Sequence, residues 1–197
     1  MATYVNDLRL KEIATGDEAG TWGTSTNTNL ELIAEAFSFG TEAITTNADT
    51  HTTTIADGST DPGRSIFLQY TGTLDSTCTI TIGPNTVSKL WFIQNSTSGS
   101  QSIIISQGSG ANITIPNGQT KAVYSDGAGS GAAIVDALVD LDLTGTTTVA
   151  ALTASGNVTT DGTVSVAGGS SNGVVISQGD IAIKNGGTQS TIKFYCE

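Results

Sequence analysis

Residues 64–127 read RSIFLQYTGTLDSTCTITIGPNTVSKLWFIQNSTSGSQSIIISQGSGANITIPNGQTKAVYSDG, and this stretch decides the fold. Ile66, Leu68 and Tyr70 alternate with Phe67 and Gln69, and Cys78, Ile80 and Ile82 alternate with Thr79 and Thr81. Leu90 to Ile93 and Ile103 to Ile105 are continuous apolar runs, and Ile113 and Ile115 alternate up to Pro116. Val123 and Tyr124 precede Ser125-Asp126-Gly127, and Ala132 to Leu138 closes the set. Period-two alternation is the mark of a strand with one buried face. The separators are turn formers: Gly72, Gly83-Pro84-Asn85, Asn95 to Gly99, Gly108 to Gly110, Asn117-Gly118 and Asp126-Gly127. Short strands at this spacing predict an antiparallel β-sandwich or barrel-like module over 61–139. Trp91 and the small apolar Cys78 belong to its core.

Upstream, residues 28–39 have helical period. Leu30, Ile33, Ala34 and Phe37 share one face, Glu31, Glu35 and Ser38 another, and Leu32, Ala36 and Phe39 widen the apolar side. Thr28 with Glu31 reads as a capping box and Gly40 as the stop. Residues 1–41 are thus an N-terminal segment with one short helix. Residues 42–60 are a polar connector, with a short edge strand expected around 52–55. Trp22 stands between Gly20 and Gly23 just before the helix. It can plug a local core or anchor an interface. With little local core beside it, the interface reading is preferred.

Downstream, residues 141–197 read LDLTGTTTVAALTASGNVTTDGTVSVAGGSSNGVVISQGDIAIKNGGTQSTIKFYCE. Their apolar side chains are few and small, too few to offset the entropy of ordering the segment alone. Several copies wound together could share apolar faces. The region 140–197 therefore predicts one strand of an intertwined, multi-chain β shaft. It stops at Ile192, Phe194 and Cys196 in mid-strand, which predicts either a cleaved fragment or a longer parent protein. The expected class is mainly all-β.

Composition narrows function. The chain has 197 residues, 24 Gly, 3 Pro and a net charge of −11. Charged residues are 13%, about half the usual share. No basic patch invites nucleic acid or an anionic membrane surface. No run approaches a membrane span, and MATYVNDLRL lacks the apolar core of a signal peptide. Cys78 and Cys196 lie in separate modules and have no metal-site spacing.

No constellation carries chemistry, and no enzyme, cofactor or metal is expected. His51, the single histidine, lies among threonines and reads as a solvated linker residue. Asp17/Glu18, Glu31/Glu35 and Asp140/Asp142 are candidate carboxylate pairs for glycan hydrolysis. A solvated loop, helix face and strand face explain them better. Asp140, Asp142 and Asp161 match no calcium loop. Gly127, Gly129 and Gly131 lack the Lys-Ser/Thr of a phosphate loop.

The order of several stretches carries a family resemblance. EAGTWGTSTNTNLELIAEAF (18–37) resembles a segment near the start of tail fibre and related virion structural proteins of tailed bacteriophages, of the kind found in marine and cyanobacterial phages. The matching residues are Trp22, Gly23, Asn27, Asn29, Leu30 and Ile33. KLWFIQNSTSGSQSIIIS (89–106) with ITIPNGQTKAVYSDGAG (113–129) resembles the small β module that often follows, and LTASGNVTTDGTV (152–164) is similar to fibre shaft. The resemblance implies a homotrimeric fibre. Its N-terminus would dock on a tail adaptor, nozzle or baseplate protein through Trp22, Gly23, Asn27, Asn29, Leu30, Ile33 and Phe37. Host glycan or protein would be met only by a distal region that this sequence does not hold. The place implied is the virion tail, assembled in the host cytoplasm and extracellular after lysis. The alternatives are a tailspike-type glycan-binding or depolymerase protein, and a capsid decoration or tail-tip structural protein.

Overall fold

The computed structural model describes residues 3–139 and, beyond them, 141–143, 146–149, 152–154 and 158. The chain divides into two compact units, Met1–Leu143 and Thr144–Glu197. Among the described residues every helix and strand belongs to the first. The shaft predicted for 140–197 falls almost wholly outside the described residues.

Among the described residues one α-helix, α1 (Trp22–Ala36), precedes nine strands: β1 (Phe39–Ala43), β2 (Thr50–Thr54), β3 (Phe67–Thr71), β4 (Cys78–Gly83), β5 (Ser88–Asn95), β6 (Ile103–Ser106), β7 (Ile113–Ile115), β8 (Thr120–Asp126) and β9 (Ile134–Asp136). The protein is mostly β, as predicted. The antiparallel expectation is corrected. Strands β1, β3, β5, β8 and β9 form one sheet, and β2, β4, β6 and β7 the other. Pairs β1–β3, β3–β5, β2–β4 and β4–β6 are parallel, and only β5–β8, β6–β7 and β8–β9 are antiparallel. From β1 to β6 the chain visits the two sheets alternately. Each return lands beside, and parallel to, the strand laid one circuit before. Phe39 lies beside Phe67 and Phe67 beside Phe92, steps of 28 and 25 residues. Thr50 lies beside Thr79 and Cys78 beside Ile103, steps of 29 and 25. The intervening turns cross between sheets instead of closing hairpins, so consecutive strands never pair in this part.

The core lies between the sheets. From the first it takes Leu68, Tyr70, Trp91, Ile93 and Val123, and from the second Cys78, Ile80, Ile82, Ile103, Ile105 and Ile115. Alternation explains the inward set, since successive side chains leave opposite faces of a strand. It also splits the run Leu90–Ile93, which is not continuously buried: Trp91 and Ile93 point in, whereas Leu90 and Phe92 are exposed. The two sheets are also tied by a 2.6 Å bond between the Thr53 and Tyr70 hydroxyls, both buried. Burial pushes the Tyr70 phenol pKa up, so it stays a neutral partner.

Polar turns are held as firmly as the core. Asn95 is buried, its Nδ2 donates to the carbonyls of Gln101 and Ile115 (both 3.0 Å), and its Oδ1 accepts from the Thr97 amide and hydroxyl. Its amide is thereby satisfied without water. Gly99 has φ +95°, and a Cβ there would sit 1.8 Å from the Leu74 carbonyl oxygen, so the crossing turn requires glycine.

The helix also departs from expectation. It starts at Trp22, well before residue 28, and ends at Ala36. Thr28 is therefore interior and makes no capping box. Tertiary bonds override the weak propensity of the Thr/Ser/Asn run. Asn29 Oδ1 accepts from the Lys11 amide (3.0 Å), its Nδ2 donates to the Lys11 carbonyl (2.8 Å), and Lys11 Nζ donates to Ser25 Oγ (3.1 Å). Gly40 is not the helix stop but part of β1. A Cβ there would lie 2.6 Å from the Pro62 carbonyl oxygen. The predicted edge strand in the connector is β2, at the edge of its sheet.

Ile80 is fully buried at the centre of the second sheet. Ile80→Ala is expected to cost about 2–5 kcal/mol in urea unfolding. Gly99→Ala is expected to cost about 3 kcal/mol or more, because strain and a backbone clash coincide. A loss below about 1 kcal/mol at either position contradicts this packing.

Candidate attachment surface

The seven residues expected at an attachment site separate into two groups. Trp22, Leu30, Ile33 and Phe37 form a stripe along one side of α1 and its C-cap, and all four are exposed. Leu30, Ile33 and Phe37 follow the i, i+3, i+7 spacing of a single face, and Trp22 lies on the same side two turns earlier. Trp22 is 62% and Phe37 75% exposed, so Trp22 plugs no local core. Gly23 sits in the first helical turn with open space where a Cβ would be, and Asn27 is exposed on the adjoining polar side. Asn29 does not join them. It holds the N-terminal segment to the helix through the Lys11 backbone, a structural task. The helix buries only Leu32 and Ala36. Its burial face and its exposed apolar stripe are thus distinct.

What fixes the helix to the β unit is a residue that sequence reasoning passed over. Arg64, in the 3-10 turn Pro62–Arg64, is fully buried. Its Nε donates to the Leu8 carbonyl (2.9 Å), its Nη1 to Glu35 Oε2 (3.0 Å) and the Ser59 carbonyl (2.7 Å), and its Nη2 to the Ala56 carbonyl (2.5 Å). One guanidinium thus joins the N-terminal segment, the helix and the connector. Glu35 is not part of a solvated carboxylate pair, because its other oxygen accepts from the Asp61 amide at 2.8 Å. The Trp91 indole donates to the Gly63 carbonyl at 2.9 Å, anchoring the same turn to β5.

Lys89 Nζ lies 4.8 Å from the Trp91 ring centre and donates to the Ser65 carbonyl at 3.3 Å. Burial, with the nearby Arg64 charge, brings its pKa down to about 8. Glu18 pairs with Lys11, whose hydrogen bond holds the Glu18 carboxyl below its usual range. His51 is not a free linker residue. It is half-buried and bonded through Nε2 to Glu42 Oε1 at 2.7 Å, closing the edge of the first circuit between β1 and β2.

A cavity of about 460 Å³ is lined by Arg9, Ile55, Asp57 and Pro84 among others. Among the described residues its one lining cation, Arg9, is already paired with Asp57 at 2.7 Å. Among the described residues no group of three or more His, Cys, Asp or Glu side chains could hold a metal ion. Among the same residues no helix is long and apolar enough to cross a membrane. Compared with known proteins, the chain matches no family model, no curated protein and no solved structure.

Arg64→Ala strands the Glu35 carboxylate and the carbonyls of Leu8, Ala56 and Ser59. It is expected to cost about 3–5 kcal/mol in chemical denaturation, against a contradictory loss below about 1 kcal/mol. Lys89 is neutral in the folded protein above about pH 8 but still protonated when unfolded, up to its ordinary value of 10.5. In that window the unfolded chain binds more protons, so stability rises with pH. The melting temperature of the native protein is expected to rise relative to Lys89→Met between pH 8 and 10.5. Parallel curves contradict the burial of that ammonium.

Proposed function

We propose that the chain is a virion structural protein: the proximal part of a homotrimeric phage tail fibre, non-catalytic, anchored by its N-terminal region. The observation that carries this reading is the exposed stripe of Trp22, Leu30, Ile33 and Phe37. Four large apolar groups on one helix face, two of them aromatic, are the composition of an interface anchor. They are held rigid from behind by Asn29 and Arg64. A rigid anchor loses little entropy on docking, which favours permanent attachment. The order of motifs along the chain agrees: attachment helix, β unit, then sequence too poor in apolar residues to fold as one copy. In this reading the tail protein covers the stripe, the β unit forms a collar, and 140–197 begins the shaft.

Immuno-electron microscopy of purified particles, with an antibody raised against this chain, tests the assignment. Label on the tail is expected. Label on the capsid, or no label on intact particles, contradicts it. The anchor is tested by Leu30→Asp with Ile33→Asp. Exposed changes of this kind are expected to shift stability by only about 0.5 kcal/mol each. The doubly substituted chain is expected to fold but fail to be incorporated into particles. Normal incorporation contradicts the anchor.

A further inference from the structure

The rung register that builds the core also builds a second surface. Phe39, Phe67 and Phe92 are register partners on three adjacent strands. Leu90 is partnered by Tyr124, and Tyr124 by Val135. By alternation all six point away from the core, on the outer face of the five-stranded sheet. Phe39 is 59% exposed and Leu90, Phe92 and Tyr124 are each above 40%. The Phe39 and Phe67 rings stack with centres 5.4 Å apart. The polar part of this face is satisfied within itself: Gln69 Nε2 donates to Gln94 Oε1 at 2.9 Å and to Ser96 Oγ at 3.0 Å. The outer face of the other sheet is of a different kind. Its positions include Thr50, Thr52, Thr79, Thr81 and Thr114. The two sheets pair similar inner faces with unlike outer ones.

We infer that the Phe39–Phe67–Phe92 face is covered by other copies of this chain, as the surface around which the protomers assemble. Charge selects the occupant. The chain carries −11, so a second copy is repelled wherever that charge is exposed. The outward rows of this sheet carry one charge, Asp126, at the end opposite Ser88. That carboxylate already accepts from the Ala128 and Ala133 amides. A basic partner would be drawn to the acidic remainder, not to an uncharged face. A like-charged copy can approach only where charge is missing. Size adds a condition. Five strands about 4.8 Å apart, with roughly five residues of about 3.3 Å each, make a face of about 24 by 16 Å. That is roughly half of what each partner gives to a standard interface. The face therefore makes a weak pair alone and a strong contact when the copies are also held elsewhere along the chain. The number of copies, three, rests on the fibre reading; the choice of face does not.

The test uses the full chain. Sedimentation equilibrium is run on the native protein, on Phe67→Glu with Phe92→Glu, and on Thr52→Glu with Thr81→Glu as the control on the threonine face. Circular dichroism checks each fold. In parallel, Phe92→Cys in a Cys196→Ser background is oxidised mildly and analysed on a denaturing gel. The native mass is expected to be three times the 20.0 kDa chain mass. The phenylalanine pair is expected to dissociate at concentrations roughly tenfold or more above those of the control. The thiol introduced at position 92 is expected to join chains in pairs through a disulfide. A trimer that ignores both phenylalanine substitutions and gives no cross-link at position 92 overturns this inference and leaves the fibre reading standing. A native chain that stays monomeric at every concentration overturns both.

Discussion

The core of the β unit and the outer face of its five-stranded sheet both depend on the step between the parallel rungs. The chain leaves one sheet, crosses to the other and returns after 25 residues in its central circuit. Leu68 is thereby set on Ile93 and Ile80 on Ile105, and the same step sets Phe67 on Phe92 on the opposite face. A slip of one residue would send Leu68 and Ile93 into water and bring the phenylalanines inside. Register cannot be chosen separately for core and surface. The aromatic row is thus a consequence of the same arrangement that stabilises the unit, maintained in spite of the solubility cost of an exposed apolar face.

The second constraint is the buried guanidinium of Arg64. It is the only Lys or Arg between Lys11 and Lys89, and it joins two stretches of backbone, at Leu8 and at Ala56 to Ser59, to the Glu35 carboxylate of the helix. A charge taken out of water is destabilising unless nearly every donor finds an acceptor. Here Leu8, Glu35, Ser59 and Ala56 supply them. The helix joins the β unit through polar bonds, buries Leu32 and Ala36, and keeps Trp22, Leu30, Ile33 and Phe37 on the outside. That division of labour separates holding the helix from using it.

Much of the β unit was legible in the alternation of apolar residues. Cys78, Ile80 and Ile82 point inward as their spacing implies, and Trp91 is core. Strand partners were not legible, because alternation reports which face a residue takes and says nothing about its neighbour. A signal did exist. FLQYT at 67–71 recurs as FIQNS at 92–96, and that 25-residue echo is the mark of stacked circuits. Within the candidate site, Leu30, Ile33 and Phe37 could be found from their spacing, and Trp22 from its place between Gly20 and Gly23 with little local core beside it. The inward turn of Asn29 could not, since it depends on Lys11, eighteen residues earlier. The helix start was hidden for the same reason: a Thr-, Ser- and Asn-rich run has little helical preference, and long-range bonds decide it. Arg64 left only the trace of a rare charge before an apolar strand.

The two exposed apolar surfaces meet in sequence at Phe37 and Phe39, the end of the helix stripe and the head of the sheet row. The proposed roles differ: the helix stripe is proposed to meet a tail protein, and the sheet row other copies of the same chain. A cryo-EM reconstruction of the purified chain in its assembled state examines the second assignment most directly. Phe39, Phe67 and Phe92 of neighbouring copies are expected in van der Waals contact about a common axis, with the threonine face outward. An assembly in which those three rings face solvent would contradict that assignment.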